Sequence, residues 1–329
     1  MVRIGIIGCG WVAFQHAISL REIEDVEIEA IADVNMSVAK SFSRRFNVKK
    51  IYNDYRLLIN DSSIDAVFIT TPSKFHAEQV IYALKNGKAV FSEKPPALTR
   101  DEIENIKHEV ERQKGIYQIG FNRRYWPVYK KVKDLIINRE FKPYSADIKM
   151  VDGHMKSPTW LLDDNIVGSY LHDSLIHIFD LVRFLFSEVS SVIAISRRNL
   201  YPIDDEWAII LEFSNGMIST ITYTAHASFL NPTERLEIYG DHATILTEER
   251  WRVVFSRGIE DQPSINIYDY WKMPTHILFG FKEEDKDFIE AVKKGEETKV
   301  GINEAYKAME ILFACFESSN KNGVKIEIN

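Results

Sequence analysis

The first hundred residues alternate between short apolar runs and amphipathic stretches. Val2 to Ile7 is apolar and of strand length; it enters a glycine turn, Gly8-Cys9-Gly10, and then a helix carrying Phe14, His16, Ala17, Ile18 and Leu20. A second strand, Val26 to Ala32, ends at Asp33, and Asn35 to Phe46 has helical spacing with Asn35 as its cap. Ile64 to Thr70 is the next strand. A helix from about His76 to Asn86, closed by Gly87, precedes a strand from Lys88 to Ser92. A helix from Thr99 to Lys114 and a strand from Ile116 to Phe121 complete the unit. Strand and helix in this rhythm demand parallel pairing, hence an α/β domain with a doubly wound sheet.

From Ser145 onward the pattern changes. Ser145 to Val151, Trp207 to Phe213, Met217 to Thr224 and Arg235 to Tyr239 alternate apolar with polar residues, and Asn215-Gly216 marks a hairpin. One long helix, about Gly168 to Phe186, interrupts this series; two more, near Lys282 to Lys293 and Asn303 to Ser319, follow it. The second half is expected to be an α+β domain, a mostly antiparallel sheet with helices on one face. At 329 residues the chain exceeds one typical core, since single cores stop growing near about 250 to 300 residues. The expected domains are residues 1–122 and 123–329.

Composition narrows the field without naming a function. A hydrophobic content of 45% is that of an ordered globular protein, and a net charge of -7 argues against a nucleic-acid partner. Cys9 and Cys315 are the only cysteines and Cys9 lies in the glycine turn, so a disulfide scaffold is excluded and a reducing compartment expected. There is neither a signal-peptide pattern nor an apolar run of about 18 residues. The expectation is a cytoplasmic protein with no membrane partner.

Chemistry enters with the glycine turn. Gly8, Gly10 and Ala13 fit the dinucleotide fingerprint G-x-G-x-x-A: a tight turn, close approach of backbone amides to a pyrophosphate, and a helix packed near its strand. Asp33, 20 residues after Ala13, is placed to meet ribose hydroxyls. Ligands of such sheets lie at the carboxyl ends of the strands, which puts Thr71, Pro72, Glu93 and Lys94 on the same rim. Arg44 and Arg45 come a helix length after Asp33, too late for a ribose phosphate, so NAD is expected over NADP. Lys94 in Glu93-Lys94-Pro95-Pro96 is either an electrophile beside a nicotinamide, its ammonium stabilising an alkoxide, or a surface lysine before a stiff turn. Asp173 and His177 are four apart on the expected helix, so the carboxylate can orient an imidazole that exchanges a proton with substrate. His172 points elsewhere and is taken as structural. His172 and His177 are five apart, a poor spacing for zinc, and no metal is expected. Asn122, Arg123, His154 and Trp160, with Arg124 and Trp126, supply the polar groups and aromatic faces that a polyol or sugar needs, or else anchor and fill a core.

Taken together and in this order, these residues resemble the glucose-fructose oxidoreductase and inositol dehydrogenase family, Gfo/Idh/MocA. The likeness rests on the glycine turn, Asp33, Thr71-Pro72 to His76, Glu93-Lys94-Pro95, Gly120-Phe121-Asn122-Arg123-Arg124-Tyr125, Asp173 to His177, Phe288-Ile289-Glu290-Ala291, and Gly301 to Ser319. The resemblance implies a Rossmann domain, then an α+β domain with a large open sheet facing a partner subunit in a homodimer or homotetramer. It implies NAD(P)-dependent oxidation or reduction of a sugar, sugar derivative or cyclitol. It also implies Lys94, Asp173 and His177 as catalytic residues, and cofactor contacts from Gly8, Gly10, Trp11, Val12, Asp33, Thr71, Pro72, His76, Glu93 and Lys94. Leu175 stands where many members have glycine, and Asp-x-Leu-Ile-His with Gly-Phe-x-Arg-Arg-Tyr looks like the inositol dehydrogenase branch, with Asn122, Arg123 and His154 as substrate contacts. The family's double glycine before the catalytic helix is reduced to Val167-Gly168. Two other functions occur among relatives, an NAD-dependent glycosidase working by transient oxidation and a regulator that binds NAD without turnover.

Overall fold

The computed structural model describes residues 1–153, 163–228, 234–259, 263–268 and 272–328. Its chain forms two compact units. Met1–Asn122, Asn165–Val167 and Thr275–Lys307 make up the first; Arg123–Asp164, Gly168–Pro274 and Ala308–Asn329 make up the second.

The first unit is built on β1 (Val2–Ile7), β2 (Val26–Ala32), β3 (Lys50–Tyr52), β4 (Ala66–Ile69), β5 (Ala89–Glu93) and β6 (Tyr117–Gly120), all parallel, in the order β3-β2-β1-β4-β5-β6. Between them run α1 (Trp11–Leu20), α2 (Met36–Phe46), α3 (Tyr55–Ile59), α4 (His76–Lys85) and α5 (Arg100–Gln113). The strand order reverses between β1 and β4, so the loops after these two strands open the crevice in which such sheets bind ligands. The helices begin where the sequence gives their first amides a partner. Asn35 Oδ1 accepts from Ser37 N at 3.0 Å, and Thr99 and Glu102 form a reciprocal capping box ahead of α5. The pair β3 and α3 is absent from the apolar pattern because its elements are only 3 and 5 residues long.

Thr275–Lys307, far along the chain from the leading segment Met1–Asn122, clusters with it in the first unit. The reason is apolar packing. Within this segment, α9 (Thr275–Leu278) leads into α10 (Phe281–Lys294), and α10 buries Phe288 against the sheet. Phe68 and Phe91 stack at 4.7 Å, and the Phe288 ring meets their edges at 5.3 and 5.8 Å.

The second unit carries β7 (Ser145–Gly153), β8 (Val189–Arg197), β9 (Glu206–Phe213), β10 (Ile218–Ala227), β11 (Glu234–Gly240), β12 (Ala243–Glu248), β13 (Arg252–Arg257), β14 (Ser264–Ile267) and β15 (Ile326–Glu327) in one sheet. Its order is β14-β13-β12-β11-β7-β10-β9-β8-β15, antiparallel throughout except for the parallel pair β7 and β10. Asn215-Gly216 turns β9 into β10, with Gly216 at φ +84 and the Asn215 side chain accepting from Met217 N at 3.0 Å. Along β9, Trp207, Ile209, Leu211 and Phe213 are buried while Ala208 and Ile210 face outward, so one face of the sheet is covered and the other open. Helix α6 (Pro127–Ile137) also belongs here. The expected long helix runs without interruption from Tyr170 to Leu185, its start wound as a π-helical turn at Leu171–Leu175 that passes directly into α8 (Ile176–Leu185); a separate four-residue α7 (Asp164–Val167) precedes it. The last helix, α11, spans Ile302–Asn320.

Phe288→Ala empties a fully buried ring site, and such truncations cost about 3–5 kcal/mol. Chemical denaturation followed by near-ultraviolet dichroism is expected to show a loss of that size. A loss below about 1 kcal/mol, the range of tolerated core swaps, would mean that α10 is not part of this core.

Candidate active site

The glycine turn is fixed from two sides. Gly8 sits at φ +88, and a Cβ there would lie 2.9 Å from the Thr70 carbonyl oxygen, so only glycine allows β1 and β4 to close up. Thr70 Oγ1 in turn donates to the Gly8 carbonyl at 2.7 Å. A Cβ on Gly10 would meet nothing within 4 Å, which leaves open space in front of α1. Gly10 is also the N-cap of α1 and has no side chain to satisfy the first amides of the helix, including those of Trp11 and Val12. An open approach to free amides at the positive end of a helix fits a pyrophosphate.

Asp33 does two things at once. Its Oδ2 accepts from Cys9 N at 2.9 Å and its Oδ1 from Asn35 N at 2.8 Å, tying the glycine turn to the start of α2. The carboxylate also lines a cavity of about 610 Å³ together with Gly8, Thr71, Pro72, Tyr55 and Phe75. Asn53, Asp54, Tyr55, Arg56 and Leu57, from the end of β3 and the start of α3, form one wall that the sequence reading misses. Its signal is the cap residue Asp54, whose Oδ1 accepts from Arg56 N at 2.8 Å. The Arg56 guanidinium stacks on the Tyr55 ring at 4.5 Å and pairs with Glu78 at 2.6 Å, so its charge is balanced. Arg44 and Arg45 do not line this cavity, and Arg45 lies over the Phe14 ring. Among the described residues lining this cavity, the carboxylate of Asp33 and an Arg56 already paired with Glu78 suit NAD and would repel the 2′-phosphate of NADP.

Two of the expected cofactor contacts serve the rim from beneath. His76 is buried, with Nδ1 facing the Pro95 carbonyl and Nε2 facing the Thr71 carbonyl, each at 2.7 Å. Burial lowers its pKa although both carbonyls favour the charged ring. It braces the turn after β4 against the turn after β5, and its ring is consumed by backbone. Glu93 is 9% exposed; its Oε2 accepts from Lys94 N at 3.2 Å and its Oε1 faces His16 Nε2 at 3.1 Å. Lys94 follows at the carboxyl end of β5, on the rim that Asp33 and Thr71 also occupy, and its peptide to Pro95 is cis.

In the second unit, Asp173 lies inside the π-helical turn and His177 one turn later in α8, nearly fully buried. The expectation that they share a face assumes 3.6 residues per turn; the turn carrying Asp173 closes wider, a local geometry common at functional sites. The Nδ1 of His172 is 2.9 Å from Ser169 Oγ and its ring packs on Phe316. Ser174, beside Asp173, donates to Asp152 Oδ2 at 2.5 Å, as does the Tyr223 hydroxyl at 2.8 Å. Burial raises the Asp152 pKa, Ser174 and Tyr223 pull it down, and the charge of Asp173 adds to the rise. Asp152 thus anchors the turn that carries Asp173, a role that no motif signals.

Arg123, expected at the substrate, has its guanidinium on Glu234 at 3.2 Å and over the Trp126 ring at 4.8 Å; Glu234 also accepts from the Tyr129 hydroxyl. Arg124 makes a two-pronged bond to the fully buried Asp180 at 2.8 and 2.6 Å. Trp126 is 2% exposed, a core residue. Asn122 is buried at the end of the first unit's leading segment. His154 and Trp160 lie outside the described residues. Among the described residues no cluster of three or more His, Cys, Asp or Glu side chains is arranged to hold a metal ion.

Comparison with known proteins places these features. The profile of an oxidoreductase family with an NAD-binding Rossmann fold, GFO_IDH_MocA, matches residues 2–121, and that of the family's C-terminal alpha/beta domain matches residues 133–328. A myo-inositol 2-dehydrogenase of Thermotoga maritima is 28% identical over 337 residues, covering 99% of each chain. An inositol 2-dehydrogenase of Rhizobium meliloti is 25% identical, over 96% of each. Among solved structures, a levoglucosan dehydrogenase in complex with NADH, 23% identical, shares the fold with a TM-score of 0.91 over 100% of this chain and 99% of that one.

Asp33→Ser removes both the ribose acceptor and the repulsion of a 2′-phosphate. NADH affinity, read by fluorescence titration, is expected to fall about tenfold, the worth of about 1.4 kcal/mol, while NADPH affinity rises. Unchanged affinity for both would remove Asp33 from the ribose site.

Proposed function

The chain belongs to the Gfo/Idh/MocA oxidoreductase family and uses NAD, and on that premise we propose that it acts on a secondary hydroxyl of a cyclitol or sugar, of the inositol kind. The observation that carries this reading is Lys94 at the carboxyl end of β5, on the rim whose other side is the cavity lined by Asp33. The inositol dehydrogenases similar to this chain over nearly its whole length support the substrate class.

When bound, NAD supplies the acceptor for the hydrogen that leaves the carbinol carbon with its electron pair. The chain's own residues handle the proton and the charge. Lys94 places an ammonium at the substrate oxygen, where it stabilises the alkoxide that forms as the proton leaves. His177 receives that proton, and a buried imidazole changes its charge only if a neighbour compensates. Asp173 supplies the compensating carboxylate. Gly8, Gly10 and the first amides of α1 would hold the pyrophosphate and Asp33 the ribose, with Thr71 and Pro72 lining the same cavity.

We place the protein in the cytoplasm, as two buried thiols without a disulfide suit a reducing compartment. Among the described residues no helix is long and apolar enough to cross a membrane. The open face of the nine-stranded sheet carries Ile195, Ile210 and Ile218, exposed by 46%, 42% and 52%, and we propose that a second copy of the chain covers it.

The test is NADH formation at 340 nm with NAD and NADP in parallel across inositols, aldoses and anhydrosugars. Turnover of a cyclitol or sugar with NAD is expected, and Lys94→Ala and His177→Ala are each expected to lose about 10²- to 10⁴-fold in kcat. Near wild-type kcat in both variants would overturn the assignment of these residues. Free sugar released from a glycoside without net NADH would replace the dehydrogenase with a glycosidase. Light scattering of Ile210→Lys checks the sheet: a shift from oligomer to monomer is expected, and an unchanged mass would refute this interface.

A further inference from the structure

The first unit contains a buried ionic network of His16, Asp285 and Glu93. His16, on α1, is completely buried. Its Nδ1 lies 2.7 Å from Asp285 Oδ1 on α10, and its Nε2 lies 3.1 Å from Glu93 Oε1 at the end of β5. Both ring nitrogens face carboxylate oxygens, so with both carboxylates ionised the arrangement is satisfied when both nitrogens carry hydrogen. The other oxygen of Glu93 accepts from Lys94 N at 3.2 Å. The fold makes room for this carboxylate: a Cβ on Gly120 would lie 3.1 Å from Glu93 Oε1.

We propose that His16 is a positioning residue for Lys94: as an imidazolium clamped by Asp285, it fixes the Glu93 carboxylate, which fixes the backbone of the lysine. The inference rests on the reading of Lys94 as the group that meets the substrate oxygen.

The surroundings support a charged ring. The charged groups at its two ring nitrogens are Asp285 from α10 and Glu93 from β5, and the rings of Phe68, Phe91 and Phe281 pack against it. Burial alone would lower its pKa. Asp285, by charge and hydrogen bond, and then Glu93 outweigh it and push the ring up to about 10. Asp285 is itself raised by burial, with His16 pulling it down. Two carboxylates flank the one imidazole, and the ring is bonded to both. The folded pKa lies above the ordinary value of 6.5, so the stabilisation is complete below about pH 6.5 and is lost as pH rises through about 10.

His16→Asn removes the clamp and leaves the cofactor contacts in place. A misplacement of 1 Å in a catalytic group costs up to about 100-fold, so kcat for myo-inositol is expected to fall about 10- to 100-fold while NADH affinity by fluorescence stays within about twofold, the span of context effects at distant sites. Asp285→Asn keeps the imidazole and its hydrogen bond but removes the charge. In [15N]histidine spectra its His16 ring is expected to lose its proton at a lower pH than in the wild type, and the alkaline fall in melting temperature moves down with it. In a Lys94→Ala background, His16→Asn is expected to cost no further kcat, because it acts through the lysine. Wild-type kcat in His16→Asn beside an impaired Lys94→Ala would overturn this inference alone, as would an equal further loss in the double variant. Wild-type kcat in Lys94→Ala would overturn the lysine assignment and this inference together. If His16→Asn does not fold, Asp285→Asn carries the test: an unshifted ring titration refutes the clamp.

Discussion

A single buried imidazole joins three distant parts of the first unit. His16 reaches Glu93 across 77 residues of sequence and Asp285 across 269, so α1, β5 and the returning helix α10 are closed on one charge. Removing one partner of such a buried pair leaves an uncompensated ion, a cost of about 3–5 kcal/mol. Apolar residues of the same volume would hold these elements together as well or better. Its presence at the base of Glu93-Lys94 is therefore better explained by geometry than by stability.

The rim above it is braced in the same manner, by polar groups committed to backbone. Asp33 holds the glycine turn through Cys9 N, Thr70 holds it through the Gly8 carbonyl, and His76 spans the turns after β4 and β5. Each brace fixes a loop at a strand end, where flexibility would blur cofactor placement. In the second unit Asp152 plays the corresponding part, accepting from Ser174 and Tyr223 beside the turn that carries Asp173. A precise site thus rests on buried hydrogen bonds that never meet a substrate.

Much of this is legible in the sequence because it depends on local pattern. The glycine turn, the Asn35 cap and the Asn215-Gly216 hairpin each follow from a residue type at a fixed offset. What escapes is long-range. The return of α10 to the first core turns on Phe288 meeting Phe68 and Phe91, and no periodicity reveals which sheet an amphipathic helix covers. Nor does the sequence reveal partners: Arg123 pairs with Glu234, 111 residues away, and the His76 ring faces two backbone carbonyls. The π-helical turn is equally silent, since the chain there has the composition of an ordinary helix. His16 stood in plain view on α1, but only its partners distinguish it from a core histidine.

Deuterium transfer from myo-inositol carrying deuterium on every carbon tests the central claim most directly. With NAD and the wild-type protein, the account predicts one deuterium on the nicotinamide ring of NADH, by mass spectrometry, for each keto product formed. Product without deuterium on the ring, or saturable NADH binding with no transfer from any polyol or sugar so labelled, would contradict it.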